Sequence, residues 1–131
     1  MPFEAKHRFA RISPRKARLV MDLIRGRDVD DAINLLRFSK QRASGLIEQV
    51  VRSAVANATE QDVAAKRNAL YVASAWVDPG PVIKRFQPKD RGKAYSIKKR
   101  TSHLVVAVDE REEGKPARVK PVVGGRPGKA R

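Results

Sequence analysis

The side chains able to do covalent or metal chemistry are few and scattered. The chain has two histidines, His7 and His103, and no cysteine. Without thiols it has no disulfide framework, no thiolate-bound zinc or iron–sulfur cluster and no thiol nucleophile. Two distant histidines without a nearby carboxylate cluster make a poor zinc set. Ser102-His103 puts a hydroxyl beside an imidazole, but neither a glycine elbow nor a carboxylate partner accompanies it. Gly128-Lys129-Ala130 imitates the end of a phosphate loop, yet Val123 stands where the first glycine belongs and Ala130 replaces the required hydroxyl. Gly125-Arg126-Pro127-Gly128 matches the short loop of a KH module, but in a Pro- and Gly-rich tail rather than between helices. No catalytic residue, metal, cofactor or small-molecule substrate is expected.

What the sequence does carry is cationic charge. It has 29 Lys and Arg against 14 Asp and Glu, a net charge of +15. So positive a surface repels itself unless a polyanion neutralises it. Nucleic acid is the expected partner, ahead of an anionic membrane surface. The charge is also segregated. Residues 1–27 hold 8 basic and 2 acidic residues, net +6, and residues 28–78 hold 6 and 7, net −1. Residues 79–100 hold 8 and 1, net +7, and residues 110–131 hold 7 and 3, net +4. A near-neutral scaffold with basic extensions is what a directed polyanion-binding surface requires.

The elements that must position these cations follow from periodicity. With 131 residues, 41% of them hydrophobic, one domain with a modest core is expected. Met1 to Arg11 is charged, so no secretory signal is expected. No apolar run is long enough for a membrane-spanning helix. Residues 3–10 alternate, with Phe3, Ala5, His7 and Phe9 on one face of a half-buried strand. Ser13-Pro14 starts a helix whose apolar stripe is Ala17, Val20, Met21 and Ile24, closed by Gly26. On another face of that helix, Asp22 lies within pairing reach of Arg18 and Arg25. Asp28 caps a second helix, striped by Val29, Ala32, Ile33 and Leu36. Ser39 is expected to cap a third, with Ala43, Leu46, Ile47, Val50 and Ala54 buried, running to about Glu60. Arg67-Asn68 then turns the chain. Leu70–Asp78 and Leu104–Val108 are rich in strand formers. The order β-α-α-α-β-β predicts an α+β sandwich, with helices on one face of an antiparallel sheet. The two helices around Gly26 are not expected to read duplex DNA, since Asp28, Asp30 and Asp31 would meet its phosphates.

About 20 residues separate the last two strands, where a compact hairpin needs 2–5. Pairing Leu70–Asp78 with Thr101–Asp109 leaves a protruding ribbon of roughly 30 Å, its tip bracketed by Pro88 and Gly92. Such a ribbon is only marginally stable in water. Its support is expected to be polyanionic.

Several motifs now fall into one order: Ala5-Lys6-His7-Arg8, Ile12-Ser13-Pro14-Arg15-Lys16, Leu23-Ile24-Arg25-Gly26, Ser53-Ala54-Val55-Ala56-Asn57-Ala58, Val77-Asp78-Pro79-Gly80-Pro81, Lys84-Arg85 and Lys99-Arg100-Thr101-Ser102-His103. Over about residues 5–109 the chain resembles the bacterial large-subunit ribosomal protein L twenty-two family. The resemblance implies three helices on a three-stranded antiparallel sheet with a long β-hairpin. It also implies a cytoplasmic, non-catalytic protein that binds large-subunit ribosomal RNA, helps assemble the subunit and meets neighbouring ribosomal proteins. The hairpin tip, Arg85, Phe86, Gln87, Pro88, Lys89, Asp90, Arg91 and Gly92, would then line the nascent-peptide exit tunnel. The tip departs from the family pattern: Gln87, Lys89, Asp90 and Lys93 stand where Arg, Arg, Ala and Arg are usual.

On this reading the RNA-binding residues are Lys6, Arg8, Arg11, Arg15, Lys16, Arg18 and Arg25 from the first strand and helix. The hairpin adds Lys84, Arg85, Lys89, Arg91, Lys93, Lys98, Lys99 and Arg100, and Thr101, Ser102 and His103 stand where it leaves the domain. Phe86 and Tyr95 either stack on bases or pack across the ribbon. Residues 1–109 are expected to form one domain including hairpin 79–100, and residues 110–131 a basic tail that is disordered alone. The rival reading is a sequence-independent architectural DNA-binding protein that uses the ribbon in a groove.

Overall fold

A computed structural model of the protein describes residues 2–61 and 69–111. The expected turn at Arg67-Asn68 and the tail beyond Arg111 lie outside those residues. The elements are β1 (Phe3–Ala10), α1 (Pro14–Ile24), α2 (Val29–Phe38), α3 (Arg42–Gln61), β2 (Leu70–Lys89) and β3 (Lys93–Glu110). The order is the one the periodicity predicts. The sheet is antiparallel with strand order β1-β3-β2, so the last strand in sequence is the central one.

Central position explains the unbroken apolar run of β3. Leu104, Val106 and Val108 join the core beneath the helices. Val105 and Ala107 face the other way and are still 3% and 1% exposed, being small and flanked by Lys6, Trp76, Glu4 and Ser74 on the neighbouring strands. The three helices contribute the expected stripes, including Met21 and Ile24 of α1, Leu36 of α2 and Ile47 and Val51 of α3, all essentially buried. Each such side chain stabilises the fold by about 1.5–3 kcal/mol.

Two expectations fail locally. Ser39 does not begin α3. Its N–H donates to the carbonyls of Leu35 and Leu36, so it closes α2, and α3 starts at Arg42. Phe9 does not share a face with Ala5 and His7. The β1–β3 register slips between His7 and Ala10, and the bulge turns Phe9 outward while Ala10 takes the buried place.

Both outer strands have their edges covered from the helices. Gly26 N–H donates to Val72 O and Val72 N–H to Arg27 O, both at 2.9 Å. Arg25 and Arg18 of α1 donate to the next stretch of the β2 edge, at Ala75 O and Val77 O. On β1, Asn57 Nδ2 of α3 donates to Glu4 O at 3.0 Å. A covered edge does not recruit a foreign strand.

Beyond Asp78 the two long strands leave the body together. Pairing runs from Leu70↔Glu110 to Lys89↔Lys93, with a slip between Pro79 and Val82. Proline lacks an N–H to give to a ladder, which suits Pro81 to this bulge. Gly80 is there for space: a Cβ would lie 2.6 Å from Thr101 Oγ1. At the tip, Arg91 and Gly92 have φ of 57° and 74° and Lys93 N–H donates to Asp90 O, the φ pair of a type I′ turn. All of β3 from Lys93 to Arg100 is exposed, and burial begins at Thr101.

The body therefore owes little to the arm. Replacing residues 84–98 with a two-residue type I′ turn is expected to preserve a single cooperative thermal transition, followed by circular dichroism. A broad, non-cooperative melt would show that the arm is part of the folding unit.

Candidate nucleic-acid interface

The base of the arm is where cations from three separate segments converge. A cleft of about 760 Å³ there is lined by Arg11, Ile12, Ser13, Lys16, Arg42, Lys98, Lys99 and Arg100. It has six cationic side chains and no acidic one. A second cleft, about 470 Å³, is lined by Ser13, Pro14, Arg15, Arg18, Pro79 and Arg100. The two share Ser13 and Arg100, so cationic hollows adjoin the junction of α1 and the hairpin.

The start of α1 adds its own positive end. Ser13 makes no side-chain cap bond and Pro14 occupies the first turn. Pro14 has no N–H, and the N–H groups of Arg15 and Lys16 have no acceptor within the helix. They lie at the positive pole of the helix dipole, between the cations of the clefts. Phosphate oxygens satisfy such donors.

Local bonds fix this geometry. Ser102 is fully buried and its Oγ donates to Ile12 O at 2.9 Å. Thr101, 4% exposed, donates from Oγ1 to Pro81 O at 2.6 Å. These two hydroxyls, expected at the surface and offered to RNA, are instead spent inside the protein. His103 is half-buried, and its Nδ1 accepts the Phe9 N–H.

The arginines of α1 divide in the same way. Arg25 is committed: Nε and Nη2 donate to Ala75 O at 3.2 and 2.6 Å, and Nη1 meets Asp22 at 2.8 Å. The expected Asp22–Arg25 pair forms, while Arg18 reaches Val77 O instead at 3.1 Å. Arg11, Arg15 and Lys16 are exposed. Lys6 lies 3.9 Å from Glu4, and the Arg8 guanidinium rests 5.2 Å from the Phe9 ring centroid.

On the arm, Lys84, Arg85, Lys89, Arg91, Lys93, Lys98, Lys99 and Arg100 are all exposed. Phe86 pairs with Ser96 and Tyr95 with Gln87. These adjacent pairs project to opposite faces, so the two rings do not pack on each other. Lys89 Nζ lies 5.3 Å from the Tyr95 centroid, and Phe86 is 75% exposed.

Arg42 was not among the residues expected from sequence. It stands in a near-neutral segment, and only the packing of α3 brings its side chain into the larger cleft. The same segment holds Glu48, which ties Arg52 at 2.7 Å, so local charge density gives no sign of the difference.

Among the described residues, no three His, Asp or Glu side chains come together to hold a metal ion, and no helix is long and apolar enough to cross a membrane. An α+β body with cation-lined hollows and a bare, charged arm has the build of a structural protein that works by surface contact. The chain belongs to the ribosomal protein L22p/L17e family, whose model matches residues 5–109. It is 49% identical over 114 residues to the large ribosomal subunit protein uL22 of Carboxydothermus hydrogenoformans, a match spanning 87% of this chain and 100% of that protein. It is 50% identical over 111 residues to the uL22 protein of Syntrophotalea carbinolica, spanning 85% of this chain and 100% of that protein. The chain is thus a structural, non-enzymatic protein of the large ribosomal subunit.

The split among the arginines gives opposite expectations for two substitutions. Arg25→Ala removes donors from the Ala75 carbonyl and is expected to lower stability by about 1–2 kcal/mol, read by urea denaturation. Arg11→Ala, with no such bond, is expected to leave the urea midpoint in place. Equal midpoints for the two variants would contradict the division.

Proposed function

We propose that the chain binds large-subunit ribosomal RNA, supports assembly of the subunit and sends its hairpin into the folded RNA, with the tip at the nascent-peptide exit tunnel. The charge pattern of the arm carries this reading. Directly opposed residues of an antiparallel ribbon share a face. One face has Lys84↔Lys98 and Val82↔Arg100, and the other has Lys89↔Lys93, Ile83↔Lys99 and Arg85↔Ile97. Both faces are cationic, and two pairs set like charges directly opposite each other, which is destabilising. A surface lying against one side relieves half of this repulsion. A polyanion folded around the arm relieves all of it, and large structured RNA is such a partner.

The body supports the same reading at the arm's base. Cations of the two clefts neutralise phosphates and release their counterions. Most of these contacts are to the phosphate backbone, which positions the protein rather than reading sequence. In this reading residues 1–109 act as one domain, and the basic residues beyond it add further phosphate contacts. Neighbouring ribosomal proteins and the nascent peptide are the remaining partners, in the cytoplasmic ribosome. The tip residues Arg85 to Gly92, the end of β2 and the turn, are all exposed, as a tunnel-lining element must be.

The test is electrostatic. Replacing Lys98, Lys99 and Arg100 together with Ala is expected to weaken binding to a large-subunit ribosomal RNA transcript. The slope of log K against log salt should fall by roughly 2–3. A filter-binding titration that gives the same slope for both proteins would refute the interface. Duplex DNA competing as well as the RNA would favour the architectural DNA-binding alternative.

A further inference from the structure

Resting on the RNA-binding reading above, we propose that Arg8 and Phe9 form a stacking platform for one unpaired nucleobase. The bulge in β1 sets Phe9 at a φ of 59° and leaves it 55% exposed. A bulky residue in the left-handed region is an outlier, and here burial of the ring does not account for it. The ring is nevertheless held in place. Phe9 N–H donates to His103 Nδ1 at 3.0 Å. The two rings meet edge to face, with centroids 5.0 Å apart and planes at 86°. The guanidinium of Arg8 lies 5.2 Å from the Phe9 centroid. Accepting at Nδ1 places the imidazole proton on Nε2, where it can serve only as a donor.

Phe9 is thus an oriented aromatic surface joined to a planar cation. Splayed-out RNA bases are recognised by stacking on aromatic rings and guanidinium planes. The charge around it suits a nucleotide better than an apolar protein surface. Arg11, two residues along, lines the large basic cleft. A nucleotide stacked at Phe9 therefore has cationic partners for its phosphates on either side. Stacking is indifferent to base identity, so the platform takes any unpaired base the RNA presents there.

Two substitutions test this. Phe9→Asn removes the ring while tolerating the left-handed backbone, and Phe9→Trp keeps an aromatic face. Both are titrated against the large-subunit ribosomal RNA transcript by filter binding over a range of salt, alongside thermal melts. The expected result for Phe9→Asn is about ten-fold weaker binding, with the salt slope unchanged and the melting temperature not lowered. Phe9→Trp is expected to bind like the unaltered protein. Unchanged affinity in Phe9→Asn overturns the platform, and so does equal weakening in both variants, which marks a packing role. Absence of salt-dependent RNA binding by the unaltered protein would overturn the RNA-binding reading itself.

Discussion

The arrangement of the protein depends on one buried hydroxyl. Ser102 sits at 0% exposure in the central strand, and its Oγ donates to the carbonyl of Ile12. That bond joins β3 to the link between β1 and α1. One residue earlier, Thr101 joins β3 to the β2 bulge through Pro81 O, in the space left by Gly80. Three segments distant in sequence are thereby fixed at one point. The net worth of each bond is only about 1 kcal/mol, but an unpaired buried carbonyl costs about 1–3 kcal/mol. The consequence is geometric as much as energetic. Ile12 and Ser13 line the basic cleft together with Lys98 to Arg100, and the Ser102 hydroxyl ties the two segments together.

From that point the chain divides into a part that stabilises itself and a part that does not. The body buries apolar side chains from three helices and three strands and closes its edges with Arg18, Arg25, Asn57 and the Gly26–Arg27 turn. The arm buries almost nothing and opposes lysine to lysine. Charge follows the division in part: residues 28–78 of the body are near neutral and the arm, residues 79–100, is net +7, while residues 1–27, also in the body, carry net +6. Arginine serves both sides. A guanidinium aimed at an edge carbonyl is a structural donor, and the same group on an exposed strand is left free to meet an anion.

Much of this was legible in the sequence, because periodicity reports the average face of an element. The stripes of α1 and α2, the pairing of the last two strands and the protruding ribbon all follow from spacing and turn residues. Single-residue events were not legible. A bulge at Arg8-Phe9 inverts a face without altering the composition around it. Ser39 is equally suited to ending one helix and starting the next, and only the bonds to Leu35 and Leu36 decide. Thr101 and Ser102 read as polar, hence exposed. Their burial follows from lying at the junction of strands whose register the sequence sets only roughly. The fate of Arg25 depends on a carbonyl fifty residues away, and that of Arg42 on how α3 packs. The family resemblance supplied the proposal for the arm's destination, but it could not separate cations bound internally from those left free.

Among the described residues, the two non-glycine residues with positive φ, Phe9 and Arg91, sharpen that separation. Left-handed backbone costs an L-residue roughly 1–2 kcal/mol, and strain of this kind persists only where surrounding structure over-determines it. At Arg91 the determinant is the tight turn, in which a Gly or Asn would sit at less cost. The sequence spends a cation there instead, at the point of the arm farthest from the body. At Phe9 the determinants are the slip in β1 and the bond to His103. Neither residue gains burial from its conformation, and both project cationic or aromatic surface outward. Strain at the tip and beside the base of one arm puts these departures from local preference at exposed positions, next to the cations of the proposed RNA-binding surface.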